Sequence, residues 1–116
     1  MRKLVILLLL FMLHLNVNAQ TISKLEPVIE KPKTIIIYGS PDCHYCIASK
    51  NLLIENKIPF VFFDIDSNKD ALNEMLAKLK KATISLNNLG IPVVDKYGEI
   101  FTNNANFDDF LKKLIH

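Results

Sequence analysis

The chain has 116 residues, half of them hydrophobic, with 14 lysines and arginines against 12 aspartates and glutamates. This length accommodates one domain, and two cysteines are too few for a disulfide-rich scaffold. Arg2 and Lys3 account for the whole excess of positive charge, so the composition gives no support for a nucleic-acid partner.

The first residues have the pattern of a secretory signal peptide. Arg2 and Lys3 precede an apolar run over residues 4–15, and small residues follow it. The run of 12 residues is shorter than the roughly 20 that a membrane-spanning helix needs. We therefore predict a signal peptide over residues 1–19, a tether over residues 20–32, and an exported, periplasmic protein. An uncleaved N-terminal membrane anchor remains the alternative.

A β-branched run at residues 34–38 opens the domain predicted over residues 33–116 and is typical of a buried strand. Asp42 suits the N-cap of a helix, and helical residues continue from about 43 to 56. The apolar stretch at residues 60–65 then predicts a second strand.

The second half of the domain continues with a helix, two strands and a helix. Leucines and a methionine recur at helical spacing over residues 68–82, after a cap predicted at Asp66 or Ser67. Residues 91–102 contain two short strands around a glycine turn, and residues 106–116 predict a closing helix. The order β-α-β-α-β-β-α predicts an α/β fold, with a four-stranded mixed sheet and helices on both faces. Its first two strands are expected to be parallel and its last two to form a hairpin.

Both cysteines lie at the predicted start of the first helix, as Cys43-His44-Tyr45-Cys46. A C-x-x-C that follows a strand and opens a helix is typical of a redox-active dithiol. The free backbone N–H groups and the positive dipole end of the helix favour a thiolate, so Cys43 is the predicted nucleophile. Cys46 lies one turn along the helix and is predicted to resolve the mixed disulfide.

Three neighbours of the pair have two interpretations each. An imidazolium at His44 would stabilise a Cys43 thiolate, and a carboxylate at Asp42 would disfavour it. Equally, His44 could be an exposed residue of the helix start, and Asp42 could serve as its cap. Tyr45 would form an aromatic edge of a substrate groove or pack on the domain surface.

Other uses of two cysteines are less well supported by the sequence. A structural clip closes too small a loop to stabilise the fold much. A zinc site usually needs four ligands from two clusters, and the chain has no second cysteine pair, so no metal site is predicted. Covalent haem attachment needs a histidine directly after the second cysteine, where Ile47 stands.

Residues 33–116 resemble the glutaredoxin family of the thioredoxin-like superfamily. The stretch at residues 35–53 is similar to the family's strand, C-P-Y-C site and first helix, with His44 in place of proline. The segment GIPVV at residues 90–94 resembles the family's T-V-P segment, and residues 106–114 resemble the start of its last helix. The resemblance implies a thioredoxin-like fold.

The resemblance also implies roles for residues away from the cysteines. Pro92 would be a cis-proline that faces the active site, and the backbone of Ile91 would then pair with a bound peptide or glutathione. Asn106 and Asp108, at the start of the last helix, would bind substrate, where a helix start can hold a carboxylate.

The sequence departs from the family's pattern in three places. Ser40-Pro41-Asp42 stands where the family often has a lysine, and Ala105 and Asn106 stand where it has paired glycines. Gly90 replaces the threonine of the T-V-P segment. Glutathione is therefore left open as a co-substrate.

The sequence thus predicts an exported, glutaredoxin-like thiol–disulfide oxidoreductase that acts through Cys43 and Cys46. We expect protein or glutathione disulfides as substrates, an electron donor that the sequence does not identify, no bound cofactor, and a monomer. Two alternatives remain open. One is a non-catalytic module on the same fold that binds a metal or a partner, and the other is the same chemistry run as a disulfide oxidase or isomerase.

Overall fold

The computed structural model describes residues 33–116, which form a mixed sheet with three helices. The predicted signal peptide at residues 1–19 and the tether at residues 20–32 lie outside the described residues. Within the described part of the chain, no helix is long and apolar enough to cross a membrane. The predicted element order is confirmed, and its members are β1 (Ile35–Gly39), α1 (His44–Glu55), β2 (Phe60–Asp64), α2 (Lys69–Lys81), β3 (Val93–Lys96), β4 (Glu99–Thr102) and α3 (Phe107–Ile115).

The four strands form one sheet in the order β2-β1-β3-β4. Strands β1 and β2 are parallel, whereas β3 runs antiparallel to β1 and forms a hairpin with β4. The hairpin turn is Tyr97-Gly98, in which both residues have positive φ, as a tight turn between twisted strands requires. The predicted mixed sheet is therefore confirmed. The two cysteines follow the C-terminal end of the central strand β1.

Alternation of side chains along the strands divides the core into two layers. Ile35 and Ile37 of β1 face one side, where they pack with Leu53 of α1 and Leu114 of α3. Tyr38 of the same strand faces the other side, where α2 covers it. Helices thus cover both faces of the sheet, as predicted, and α1 and α3 share the face on which the cysteines lie.

Both helix caps predicted from the sequence are wrong. Cys43, not Asp42, is the N-cap of α1, because its sulfur accepts the backbone N–H of Cys46 at 3.2 Å. Asp42 lies in the exposed turn before it. Asn68, rather than Asp66 or Ser67, caps α2.

Neither Asp66 nor Ser67 caps α2, because both form hydrogen bonds with an earlier residue. Asp64, at the end of β2, accepts the hydroxyl of Ser67 at 2.8 Å and the backbone N–H of Asp66 at 3.0 Å. These bonds form a local turn, of the kind that aspartate favours. The helix then begins one residue later, where the Asn68 side chain accepts the N–H of Ala71 at 3.0 Å.

A partly buried lysine fastens α2 to the sheet. Lys78 Nζ donates to the Tyr38 hydroxyl at 2.7 Å and pairs with Asp95 of β3 at 2.7 Å and with Glu74 at 3.0 Å. The side chains of Lys78 and Asp95 are only 25% and 15% exposed. Burial lowers the pKa of Lys78, but its hydrogen bonds to Asp95, Tyr38 and Glu74 outweigh burial and raise the pKa above the ordinary lysine value.

We expect Lys78→Met to lower the free energy of unfolding by about 1–2 kcal/mol at neutral pH, because it leaves the Asp95 carboxylate without its cation. Since the folded-state pKa of Lys78 is raised, its contribution is fully present below the pKa of an unfolded lysine and is lost as the pH rises through the folded value. Urea unfolding across alkaline pH measures both effects. Lys81→Met, on the exposed end of the same helix, is the control. An equal loss in the two variants would contradict the prediction.

Candidate active site

The active-site pair lies where β1 ends and α1 begins. Cys43 is half-buried, and its sulfur holds the N-cap position through the N–H of Cys46. Both cysteines are free thiols. The sequence prediction that Cys43 opens the helix is confirmed, and the local reason is the tight turn in which the Cys43 N–H donates to the Ser40 carbonyl at 3.2 Å.

The second thiol is enclosed by the sheet. Cys46 is fully buried, and burial raises the pKa of its thiol to about 12, with a further rise from its hydrogen bond to Cys43. The backbone N–H of Ser40 and the charge of Lys50 act in the opposite direction. Cys46 is therefore a protonated thiol at neutral pH, held behind the half-exposed Cys43.

The position of Cys46 depends on the absence of a side chain at Gly39. A Cβ atom there would lie 2.4 Å from the Cys46 sulfur and 3.2 Å from the Phe62 ring. Strand β1 can approach the helix this closely only with glycine at its last position.

We expect iodoacetamide to modify Cys43 well before Cys46 in the folded, reduced protein near neutral pH. The half-exposed sulfur of Cys43 is accessible, whereas Cys46 is buried and its raised pKa leaves little of the reactive thiolate. Mass spectrometry with fragmentation between the two residues reads out the site of modification. In denaturant both cysteines should react alike. Equal rates in the folded protein would contradict the predicted order.

The Ile91-Pro92 segment faces the dithiol. Its peptide bond is cis, the geometry that the family resemblance implied, and Pro92 is buried. The carbonyl oxygen of Ile91 lies 4.0 Å from the Cys43 sulfur. The structure thus brings together two segments that are separated by 48 residues in the chain.

Two asparagines that the sequence analysis missed hold this segment in place. Asn103 Nδ2 donates to the Ile91 carbonyl at 3.4 Å, and the Asn104 side chain accepts the N–H of Gly90 at 2.7 Å. The hairpin pattern could have revealed them, because a register that pairs Val93 with Thr102 sets the next residue, Asn103, beside the proline segment.

An aromatic edge borders the dithiol on the side of α3. The Tyr45 ring is 45% exposed and lies 4.6 Å from the Phe107 ring, measured between centroids. His44 is exposed and meets the Tyr45 ring edge-on at 5.7 Å. Tyr45 therefore packs on the domain surface against Phe107 and keeps part of its ring exposed, while its contact with a substrate stays a prediction.

The start of α3 lies beside this aromatic edge. Asn106 is its N-cap, and its side chain accepts the N–H of Asp109 at 3.2 Å, which satisfies one of the free donors of the helix end. Asp108 is exposed in the first turn.

Lys50 lies over the Phe62 ring, with its nitrogen 4.1 Å from the ring centroid. Among residues 33–116, groups of three or more histidine, cysteine, aspartate or glutamate side chains suited to a metal ion are not found.

The fold and the dithiol together define a thioredoxin-like domain with a C-x-x-C site at a helix start. The chain belongs to the glutaredoxin family, whose model matches residues 35–99. The Cys43-x-x-Cys46 motif on this fold supports a thiol redox role.

Solved structures share the fold. The thioredoxin-like protein BC3987 is 25% identical to this chain, with a TM-score of 0.52 over 69% of this chain and 97% of its own. A single-residue mutant of it is 24% identical, with a TM-score of 0.53 over 71% of this chain and 99% of its own. The glutaredoxin (grx-1) from Archaeoglobus fulgidus is 21% identical, with a TM-score of 0.51 over 71% of this chain and 85% of its own. A search of curated proteins found no match.

Proposed function

We propose that this protein is a thiol–disulfide oxidoreductase that exchanges disulfides through Cys43 and Cys46. The observation that carries the proposal is the asymmetry of the pair. Cys43 is half-exposed at the helix N-cap, and Cys46 is buried one turn behind it with its backbone N–H directed at the Cys43 sulfur. A hydrogen bond of this kind strengthens as its acceptor becomes negative, so it suits a sulfur that reacts as a thiolate.

The proposed reaction has two exchange steps. The Cys43 thiolate attacks one sulfur of a substrate disulfide, a mixed disulfide forms, and the other substrate sulfur leaves as a thiolate that takes up a proton. Cys46 then loses its proton and attacks the Cys43 sulfur, which releases the second substrate thiol. The protein dithiol has been oxidised to a disulfide, and the substrate disulfide has been reduced to two thiols.

The burial of Cys46 supports this order of events. A thiol whose pKa is raised to about 12 carries almost no thiolate at neutral pH, so it does not compete with Cys43 for the substrate. It becomes useful only when the mixed disulfide lies directly beside it, because proximity then replaces intrinsic reactivity.

The surroundings of Cys43 supply the rest of the proposed site. The Ile91 backbone would pair with an extended substrate segment beside the cysteines, with Pro92 fixing its position. Tyr45 would contact substrate through its exposed face, and Asn106 and Asp108 would contact it from the start of α3. His44 and Asp42, both exposed beside the pair, would adjust the reactivity of Cys43.

The proposed setting follows from the N-terminal sequence. The basic and apolar pattern of residues 1–19 supports export to an oxidising compartment, where a dithiol needs an electron donor to remain reduced. Protein disulfides are the proposed substrates, with glutathione as a further co-substrate to be tested, and the proposed form is a monomer.

A redox titration tests the proposal. The purified domain is equilibrated in thiol–disulfide buffers of known potential, and its free thiols are trapped and counted. A reversible midpoint of about −200 to −270 mV would mark a reductant, and a midpoint nearer about −120 mV would mark a disulfide donor. Cys46→Ser, which cannot close the internal disulfide, is the control. A wild-type pair that does not oxidise at any potential in this range would overturn the proposal.

A further inference from the structure

Side-chain hydrogen bonds hold the Gly90-Ile91-Pro92 segment at the active site, beyond the point where the backbone hydrogen bonds of the sheet end. The β3–β4 ladder ends at the pair Val93 and Thr102, and the residue before Val93 is Pro92, which has no backbone N–H to continue the ladder. Asn103 follows Thr102 directly, so its side chain reaches the segment from the end of the neighbouring strand.

Two side chains replace the missing ladder hydrogen bonds. The Asn103 amide donates to the carbonyl of Ile91, and the Asn104 carbonyl oxygen accepts the N–H of Gly90. One asparagine therefore holds an acceptor of the segment and the other holds a donor. The backbone on both sides of the Gly90–Ile91 peptide is fixed relative to β4.

Glycine at position 90 is what allows this close approach. A Cβ atom on Gly90 would lie 1.9 Å from the backbone oxygen of Asn103 and 3.1 Å from the side-chain oxygen of Asn104. A threonine at position 90, as the family has, would therefore clash with the asparagine pair opposite it. The three residues form one contact, which we call the asparagine brace: Gly90, Asn103 and Asn104.

The brace holds the backbone that lies beside the nucleophile. The same Ile91 carbonyl that Asn103 holds lies 4.0 Å from the Cys43 sulfur. That carbonyl oxygen accepts the Asn103 amide and, at longer range, the Cys43 thiol, so one of its two lone pairs becomes free for another donor once Cys43 reacts as a thiolate. The Ile91 N–H lies before the first residue of β3 and is therefore outside the sheet ladder.

We infer that Asn103 and Asn104 are positioning residues that hold the Ile91 backbone ready to pair with a polypeptide, and so make the site selective for disulfides flanked by peptide backbone. This inference rests on the proposed disulfide exchange. A substrate strand that pairs with Ile91 places its own cysteine beside Cys43. A small disulfide without a peptide backbone gains nothing from this pairing and reacts with Cys43 independently of the brace.

The test compares two substrates in two variants. Reduced wild-type protein, Asn103→Ala and Asn104→Ala are mixed with a short peptide that contains one internal disulfide, and separately with hydroxyethyl disulfide. We expect the second-order rate constant for oxidation of the protein by the peptide to fall about twofold to tenfold in each variant, with little change in the limiting rate at saturating peptide, as the loss of one hydrogen bond implies. Rates with hydroxyethyl disulfide and the midpoint potential should stay unchanged. Asn73→Ala, on an exposed position of α2, is the matched control.

Each other outcome has a definite meaning. Equal losses with both substrates would show a general structural role and overturn the inference, and unchanged kinetics with the peptide would overturn it as well. In both cases the proposed function would stand, because wild-type protein would still react with both disulfides. Wild-type protein that oxidises with neither substrate would instead overturn the proposed function itself. Asn104→Ala tests the brace from the Gly90 side if Asn103→Ala fails to fold.

Discussion

Replacing Cys43 by serine is expected to lower the rate of disulfide exchange by about a thousandfold or more. A serine hydroxyl at the α1 N-cap keeps the hydrogen bond from the Cys46 N–H, so the helix start is preserved. It remains protonated at neutral pH, however, and cannot form a mixed disulfide. The remaining thiol, Cys46, is buried and has a raised pKa, so it cannot take over the attack. Trapping of thiols released from a peptide disulfide measures the rate.

The matching variant at the second cysteine separates the two steps. Cys46→Ser keeps the nucleophile and loses only the resolving thiol, so it should consume one substrate disulfide and then stop as a mixed disulfide. Intact-protein mass spectrometry detects this adduct as the mass of one bound substrate thiol. Exchange at the wild-type rate in Cys43→Ser, or an adduct on Cys46 in that variant, would show that the assigned order of attack is wrong.

Gly39→Ala is expected to lower the free energy of unfolding by about 2–3 kcal/mol, as inserted core atoms commonly do. The new Cβ atom would meet the Cys46 sulfur at 2.4 Å and the Phe62 ring at 3.2 Å. Neither neighbour can move into solvent, because Cys46 is buried and the Phe62 ring is held against the core and against Lys50. Urea unfolding of the reduced protein measures the loss. Because the displaced atom is the resolving sulfur, the turnover of disulfides should also fall.

A double-mutant cycle identifies the contact responsible. Cys46→Ala removes the sulfur that Gly39→Ala would meet, while the helix backbone remains as it was. The cost of Gly39→Ala should therefore be smaller in the Cys46→Ala background, with a coupling of about 1 kcal/mol between the two sites. The same cost in both backgrounds would mean that the β1–α1 approach is not limited by this sulfur.

The proposal about the asparagine brace depends on the proposed disulfide exchange, but disulfide exchange does not depend on the brace. Disulfide exchange needs the two cysteines and an accessible Cys43, and it could proceed with the proline segment in other positions. The brace matters only for substrates that extend along Ile91, because its effect passes through that backbone. The comparison of peptide and small disulfides therefore measures the selectivity of the site separately from its chemistry.

Residue periodicity and motif spacing were enough to predict the elements and the kind of site. Residue periodicity is a local property, so the β-branched run that became β1 and the apolar spacing that became α2 and α3 could be recognised without tertiary contacts. The C-x-x-C lies on four consecutive residues at a strand-to-helix junction, so its place at the start of α1 could be predicted as well. Export remains a prediction from residues 1–19, which lie outside the described structure.

The individual atomic contacts of the site could be seen only in the folded structure. The N-cap of α1 is Cys43 and not the predicted Asp42, because the turn at Ser40 places the sulfur, rather than the carboxylate, beside the free N–H of Cys46. The burial of Cys46 depends on strand β1 and on the bare Cα of Gly39. Such contacts depend on the three-dimensional approach of elements, which composition and spacing do not encode.

Contacts between residues far apart in the chain are the ones that sequence patterns predict least. Lys78 meets Tyr38 across 40 residues of sequence, and Cys43 meets the Ile91 carbonyl across 48. Asn103 reaches Ile91 across only 12 residues, yet its role depends on the hairpin register and on the missing N–H of Pro92. The local pattern therefore determines that a dithiol stands at a helix start. The packing of α1, β3 and β4 around it decides which thiol is exposed, which is buried, and which backbone lies beside them.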